Sequence, residues 1–272
     1  MSMPVAALIP MRKGFGARPI FMFSGAGGDV QELAAVVAAL GGSRAIVGVE
    51  PFTPGDDGLP PATVEAMAAQ TFAALRERQP EGPYDLIGYS FGGLVALETA
   101  HLLREAGQAV GPVVLIDALY DRRFWPVSVF MASQAKRSAV HLASLSRLSF
   151  AEAAPEFAER ARRLFGRVAL RGAPPAIDAA QEVPSIEARC IRAMTIHRPR
   201  RYDGPVTLFR SASDEEFGCD LQTLWRPLIR QLRVCGIEGN HLGLVREAAS
   251  VSQLAQGMDQ LLGEAERGAA AA

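Results

Sequence analysis

Ser90, Asp117 and His241 have the side-chain types that nucleophilic catalysis by serine requires. A serine hydroxyl becomes an effective nucleophile when a histidine takes its proton and a carboxylate holds that histidine in the correct tautomer. The chain carries them in the order serine, acid, histidine, which is one of the orders in which such triads occur. These residues therefore predict attack on a carbonyl carbon, with an acyl-serine as the covalent intermediate.

Ser90 lies in the sequence Gly-Tyr-Ser-Phe-Gly at residues 88–92, between an apolar strand pattern and an apolar helical pattern. A strand, a tight turn that carries the serine and a helix together form a nucleophile elbow. Gly88 and Gly92 fit this turn, because a Cβ at either position would strike the neighbouring strand or helix. The motif alone also occurs in ordinary glycine-rich turns, so the prediction depends on the flanking strand and helix.

His241 is the best placed of the four histidines to act as the base. His101 lies about three turns into the helix that follows Ser90, too far along it to reach back. His141 and His197 lie in a region without strand–helix alternation. His241 follows the last predicted strand, at the sheet edge where open α/β sheets form their active sites.

Two acids compete as the partner of His241. Asp117 comes directly after four apolar residues at the end of a predicted strand, whereas Asp214 lies among other acids in a polar loop. A rigidly held carboxylate that stays ionised is suited to orienting the imidazole. We therefore favour Asp117 as the acid and keep Asp214 as the alternative.

The oxyanion that forms on attack needs two hydrogen-bond donors. The backbone N–H of Phe91, directly after the nucleophile, is one expected donor, and the backbone N–H of Ala26 is the other. Ala26 lies in a glycine-rich turn at residues 24–28. Taken by itself, this turn could equally be a simple connection between a strand and a helix.

Alternating strand and helix patterns position these residues. Strands are predicted at residues 6–9, 19–23, 45–49, 84–87, 113–116, 205–209 and 232–237, and helices at 29–40, 63–79, 94–103, 221–231 and 245–262. Repeated units of strand and helix predict an α/β fold with a mostly parallel central sheet and helices on both faces.

Residues 118 to about 198 interrupt the alternation. Helical patterns replace it at residues 130–148, 150–168 and 185–197. A helical insertion after a sheet strand is a candidate lid, so we expect a lid at about residues 120–198 within one domain of residues 1–272. Apolar residues at the start of this region and beside the serine are candidates for lining a substrate channel, with core packing as their alternative role: Tyr89, Phe124, Trp125, Phe130 and Met131.

Composition narrows the class of protein further. A net charge of −1 provides no basic excess for binding nucleic acid. No apolar run reaches the roughly 18 residues of a membrane span. The 3 cysteines are widely spaced and fit neither a disulfide framework nor a metal cluster, which predicts reduced thiols in a cytoplasmic protein.

In combination, the motifs resemble those of the thioesterase domains of nonribosomal peptide and polyketide synthases, within the α/β-hydrolase fold. The similar segments are residues 8–14, 18–21, 27–28, 79–84, 88–93, 115–117 and 239–241. The resemblance does not cover the insertion, which varies widely in that family. The sequence also departs from the family where His-Pro is common, because Ser24 and Gly25 occupy those positions.

The resemblance implies that Ser90 takes an acyl chain from a phosphopantetheine thioester on an acyl or peptidyl carrier domain, without a cofactor of the protein's own. It matches Asp117 to the family's acid, His241 to its base, and Ala26 and Phe91 to its oxyanion donors. Release would follow by hydrolysis or macrocyclisation.

Several alternative functions remain open at this point. Stand-alone editing (type II) thioesterases are related to the same family, with their acid nearer to the position of Asp214. A small-molecule carboxylesterase would use the same three catalytic residues. A cyclase that forms a carbon–carbon bond and a non-catalytic carrier-binding module are further alternatives.

Overall fold

The computed structural model describes residues 6–15, 18–50, 60–135, 185–212 and 218–270. The strands in these ranges are β1 (Ala7–Arg12), β2 (Ile20–Phe23), β3 (Ile46–Glu50), β4 (Tyr84–Tyr89), β5 (Val110–Ile116), β6 (Tyr202–Ser211) and β7 (Ile229–Ile237). They form one sheet in the spatial order β1-β3-β2-β4-β5-β6-β7. β1 is antiparallel to β3 and all other neighbours are parallel, which confirms the mostly parallel sheet predicted from the sequence.

The central strands are almost continuously apolar because both faces of the sheet are covered. All residues of β2 and β4 are buried. Successive side chains of a strand point to opposite faces. Phe21 and Leu86 accordingly belong to one hydrophobic cluster, and Met22 and Ile87 belong to a second cluster on the other side.

Helices cover both faces. They are α1 (Ala34–Ala39), α2 (Val64–Arg78), α3 (Phe91–Glu105), α4 (Ile186–Ile196), α5 (Leu221–Trp225), α6 (Gly243–Arg246) and α7 (Ala248–Ala270), and residues 127–135 are also helical. α2, α3 and α4 contribute to the first cluster, while α1 and α7 contribute to the second. Side-chain caps begin α2, α4 and α5. Thr63 accepts from the Ala66 N–H, Ser185 from the Ala188 N–H, and Asp220 from the Gln222 and Thr223 N–H groups.

Three predicted helices differ from the structure. The helix predicted at residues 245–262 is divided into α6 and α7, and α7 continues to Ala270. The helix predicted at residues 221–231 ends at Trp225, and β7 already begins at Ile229. Pro227 follows shortly after, and its ring and missing N–H are incompatible with a continued helix. The helix predicted at residues 29–40 is a 3₁₀ turn at Val30–Leu33 followed by α1.

The predicted insertion lies largely outside the described residues, which resume at residue 185 after residue 135. Its last helix, predicted at residues 185–197, is confirmed as α4, which contacts α2 and α3. The patterns at 150–168, most of 130–148, and His141 fall on residues that the structure does not describe, so the lid stays a prediction. Within the described ranges, no helix is both long and apolar enough to cross a membrane.

Candidate active site

The fold brings Ser90, Asp117 and His241 together at the carboxyl edge of the sheet. His241 Nε2 lies 3.0 Å from Ser90 Oγ, and His241 Nδ1 lies 3.0 Å from Asp117 Oδ2. With its proton on Nδ1, the imidazole donates to the carboxylate, and Nε2 can accept the serine proton. We call these three residues the candidate triad.

Ser90 lies at the sharp junction of β4 and α3. Its backbone has φ of 52° and ψ of −122°, a conformation that non-glycine residues rarely adopt. A Cβ at Gly88 would lie 2.5 Å from the Gly92 carbonyl oxygen, and one at Gly92 would lie 2.2 Å from the Ser24 carbonyl oxygen. The two glycines therefore have the steric role predicted from the spacing of the motif.

Asp117 follows β5, is fully buried, and has φ of 48°. Its carboxylate accepts hydrogen bonds from the Ser211 N–H at 2.8 Å and the Ser211 hydroxyl at 3.0 Å, besides the bond to His241. A buried carboxylate needs such donors to offset the loss of water. Ser211 thus orients the candidate acid, and the sequence analysis missed it. The only sequence signal for this role of Ser211 was that a polar residue ends a predicted strand region.

The alternative acid, Asp214, lies outside the described residues. In the structure, the Nδ1 atom of His241 already has Asp117 as its carboxylate partner. We therefore retain Asp117 as the candidate acid.

Tyr89 supports His241. Its ring stacks on the imidazole with centroids 4.9 Å apart, and its hydroxyl donates to the His241 carbonyl oxygen at 3.1 Å. The side chain is 2% exposed and belongs to the second hydrophobic cluster. The structure therefore buries Tyr89 against the candidate base, and the channel-lining role considered from the sequence does not fit this position.

The expected oxyanion donors lie on two segments that touch each other. Phe91 is the first residue of α3, where backbone N–H groups lack partners within the helix and the helix dipole favours negative charge. Ala26 lies in the turn at residues 24–28, which the Gly28 N–H closes by donating to the Gly25 carbonyl oxygen at 3.1 Å. The close approach of Gly92 to the Ser24 carbonyl joins this turn to the elbow.

A carboxylate that the sequence analysis did not consider lies beside this turn. Glu32 Oε1 accepts a hydrogen bond from the Gly25 N–H at 2.5 Å. Burial raises the pKa of Glu32, while the bond from Gly25 and the charges of Arg246 and His241 act in the opposite direction. A glutamate in the first turn of a helix is common, so its type and position gave no signal.

The candidate channel residues divide into two groups. Trp125 and Phe130 are each 5% exposed and pack in the first cluster, so they take the core role that was the alternative. The Trp125 indole also donates to the Tyr120 carbonyl oxygen at 2.7 Å. Phe124 is partly buried and Met131 is 52% exposed, so these two stay candidates for contact with substrate.

The sheet, the elbow and the covering helices define an α/β-hydrolase fold. The thioesterase domain family model matches residues 18–260, and the chain belongs to this family. Among the described residues, no group of three or more histidine, cysteine or acidic side chains is arranged to hold a metal ion.

Its relatives include longer proteins that are named as synthases. The chain is 37% identical over 113 residues to indigoidine synthase of Dickeya dadantii, covering 42% of this chain and 8% of that protein. It is 24% identical over 238 residues to enterobactin synthase component F of Escherichia coli K12, covering 88% of this chain and 17% of that protein. The chain thus spans only a small part of the relatives it matches.

A solved structure shows the same fold. The NocB thioesterase domain, in covalent complex with a fluorophosphonate nocardicin G analogue, matches with a TM-score of 0.61 and 21% identity. The match covers 94% of this chain and 99% of that domain. The α/β-hydrolase fold predicted from the sequence is therefore confirmed.

Proposed function

We propose that this domain releases an acyl or peptidyl chain from the phosphopantetheine thioester of a carrier domain, through an acyl-Ser90 intermediate. The observation that carries the proposal is the hydrogen-bonded chain from Ser90 through His241 to Asp117, with both contacts at 3.0 Å. Membership of the thioesterase domain family supports a thioester as the substrate.

Acylation begins when Ser90 Oγ attacks the thioester carbonyl carbon and His241 Nε2 accepts the hydroxyl proton. Asp117 stabilises the imidazolium that results. The backbone N–H groups of Ala26 and Phe91 hold the oxyanion of the tetrahedral intermediate. When this intermediate collapses, the pantetheine thiol leaves with the proton from His241, and an ester on Ser90 remains.

Deacylation repeats the same chemistry with a new nucleophile. Water, or a hydroxyl or amine of the bound chain, gives its proton to His241 and attacks the ester carbonyl. Water yields a free acid, whereas an internal nucleophile yields a macrocycle. We propose that the predicted lid at about residues 120–198 selects between them by shaping the cavity and excluding water.

The partner in this proposal is an acyl or peptidyl carrier domain. Indigoidine synthase and enterobactin synthase component F are many times longer than the matched segment, as expected if the segment acts beside other domains. The phosphopantetheine arm belongs to the carrier, so the domain needs no cofactor of its own.

Intact-protein mass spectrometry with a small panel of acyl-pantetheine thioesters tests the proposal. We expect the wild type to gain the mass of the acyl group, and Ser90→Ala to gain none and to show no turnover. Ser252→Ala, at an exposed serine of α7, is the matched control and should behave as the wild type. Near-normal thioester hydrolysis by Ser90→Ala would remove the nucleophile assignment.

Adding carrier-bound thioesters and the matching oxygen esters to this panel separates the proposed function from its alternatives. A carrier-bound thioester should be turned over with a higher kcat/KM than the matching oxygen ester. A preference for the oxygen ester would instead indicate a small-molecule carboxylesterase. A preference for short acyl chains that block carrier domains would indicate an editing (type II) thioesterase.

A further inference from the structure

The oxyanion turn at residues 24–28 is held at both peptide groups that flank Gly25. The Gly25 N–H donates to Glu32 Oε1 at 2.5 Å, and the Gly25 carbonyl oxygen accepts from the Gly28 N–H at 3.1 Å. Glu32 lies in the 3₁₀ turn that comes next, which Asp29 caps by accepting from the Gln31 N–H at 2.8 Å. The carboxylate therefore joins the start of the oxyanion turn to the element after it.

Peptide planarity carries this restraint to the expected donor. The carbonyl of Gly25 and the N–H of Ala26 belong to one peptide plane, in which they point in opposite directions. The bond from Gly28 fixes the carbonyl end of that plane, and the bond to Glu32 fixes the preceding plane. Together, the two bonds set the direction of the Ala26 N–H.

The carboxylate packs closely against residue 25. A Cβ at Gly25 would lie 3.1 Å from Glu32 Oε1 and 3.4 Å from the ring of Tyr89. A proline at this position would have no N–H to donate. Gly25 and Glu32 thus act as a pair, in which the glycine supplies both the donor and the space that the carboxylate needs.

Glu32 lies among charged groups from several elements. Asp29 precedes it, Arg246 ends α6, and His241 belongs to the loop after β7. Burial raises the pKa of Glu32, and the positive charge of Arg246 partly opposes this effect. An ionised acceptor forms a shorter and stronger hydrogen bond with a backbone N–H than a neutral acceptor does.

We propose that Glu32 is a positioning residue for the reaction: by holding the Gly25 N–H, it directs the Ala26 N–H towards the oxyanion. The inference rests on the proposed function, because it requires an oxyanion at Ser90. It assigns Glu32 no contact with substrate and no proton transfer.

Three variants test the inference by steady-state kinetics with one acyl-pantetheine thioester. Glu32→Ala removes the acceptor, and we expect kcat to fall by between about tenfold and the ~10²-fold that loss of one oxyanion donor causes, with KM within about twofold. Glu32→Gln keeps an oxygen that can accept from Gly25, and should retain kcat within about threefold. Gln31→Ala, at the exposed neighbouring residue, is the control and should match the wild type.

A binding measurement separates positioning from a merely structural role. A boronic acid analogue of the acyl chain forms a tetrahedral anionic adduct with serine, whereas the matching unreactive amide forms none. We expect Glu32→Ala to weaken boronate binding about tenfold or more and to leave amide binding unchanged. Equal loss for both ligands, together with a lower Tm, would show a structural role and overturn the inference.

Two further outcomes are decisive. Wild-type kcat and boronate affinity in Glu32→Ala would overturn the positioning role, while Ser90→Ala would still test the proposed function separately. If kcat falls as far in Glu32→Gln as in Glu32→Ala, the effect of Glu32 comes from its charge and not from the hydrogen bond to Gly25. This result would also overturn the inference.

Discussion

The ring of Tyr89 stacks on the imidazole of His241 with their planes inclined at 19°, and the Tyr89 hydroxyl donates to the His241 carbonyl oxygen at 3.1 Å. Tyr89 directly precedes Ser90 in the chain. The residue that supports the candidate base therefore belongs to the same turn as the candidate nucleophile. A shift of the elbow would therefore displace both the nucleophile and the ring on which His241 stacks.

The first prediction separates the two contacts of Tyr89. Tyr89→Phe keeps the ring and loses one buried hydrogen bond, a difference of about 1 kcal/mol, so we expect kcat to fall a few-fold. Tyr89→Ala also removes the surface under the imidazole and leaves a cavity, and we expect a loss of about 100-fold. Steady-state kinetics and thermal melts measure both effects.

Tyr84 provides the matched control for this prediction. It is a buried tyrosine at the other end of β4, and its hydroxyl donates to the Gln79 carbonyl oxygen at 2.5 Å. Tyr84→Phe should lower Tm and leave kcat unchanged. An equal loss of kcat in Tyr84→Phe and Tyr89→Phe would show that general loosening of the fold, not support of His241, explains the effect.

The second prediction concerns Ser211 and Asp117. Ser211→Ala removes the hydroxyl that donates to the carboxylate at 3.0 Å and keeps the backbone N–H bond at 2.8 Å. We expect kcat to fall by about tenfold or less, because part of the restraint on the carboxylate remains. Since the hydroxyl acts through Asp117, the loss should vanish when Ser211→Ala is added to Asp117→Asn. A loss of the same size in both backgrounds would contradict this coupling.

The sequence was sufficient where a local steric rule or a sheet topology rule applied. The spacing of Gly88 and Gly92 predicted the elbow, because only glycine fits where an added Cβ would lie 2.5 Å or less from a neighbouring backbone oxygen. The strand patterns predicted parallel strands, whose carboxyl ends share one edge. From this shared edge we predicted that Asp117 and His241 lie near Ser90, and the structure places them there.

The sequence was insufficient where a role depends on which elements are neighbours in space. Ser211 reaches Asp117 because β6 lies beside β5, with Ile116 opposite Phe209, and no local pattern reveals this register. Glu32 contacts Gly25 because a 3₁₀ turn folds back on the oxyanion turn. The early end of α5 is different, since Pro227 was visible in the sequence and gave a sufficient reason to shorten the helix.

The third prediction decides between the two candidate acids. Asp117→Asn cannot hold the Nδ1–H tautomer of His241, and we expect kcat to fall by about 10⁴-fold, as for a triad aspartate elsewhere. Asp214→Asn should stay close to the wild type. Steady-state turnover of one pantetheine thioester measures both variants. If Asp214→Asn causes the large loss instead, the acid is assigned to the wrong residue.

The fourth prediction follows from the burial of Glu32. Burial raises the pKa of this carboxyl above its ordinary value of 4.5, so the folded protein binds the proton more tightly than the unfolded chain does. The contribution of Glu32 to stability is therefore fully present below pH 4.5 and is lost as pH rises through the folded pKa. A glutamine at position 32 does not ionise, so Glu32→Gln should have a higher Tm than the wild type near pH 8.

Thermal melts of both proteins between about pH 4 and pH 8 measure this difference in Tm. The difference in Tm between Glu32→Gln and the wild type should become smaller as the pH falls, because the Glu32 carboxyl of the wild type then becomes protonated. Both proteins share all other ionisable groups, so the comparison isolates the effect of residue 32. A difference in Tm that stays constant with pH would contradict the raised pKa. A higher Tm of Glu32→Gln at high pH would mean that the ionised Glu32 carboxylate destabilises the folded wild type. Such a cost in stability is expected for a group that contributes to the reaction.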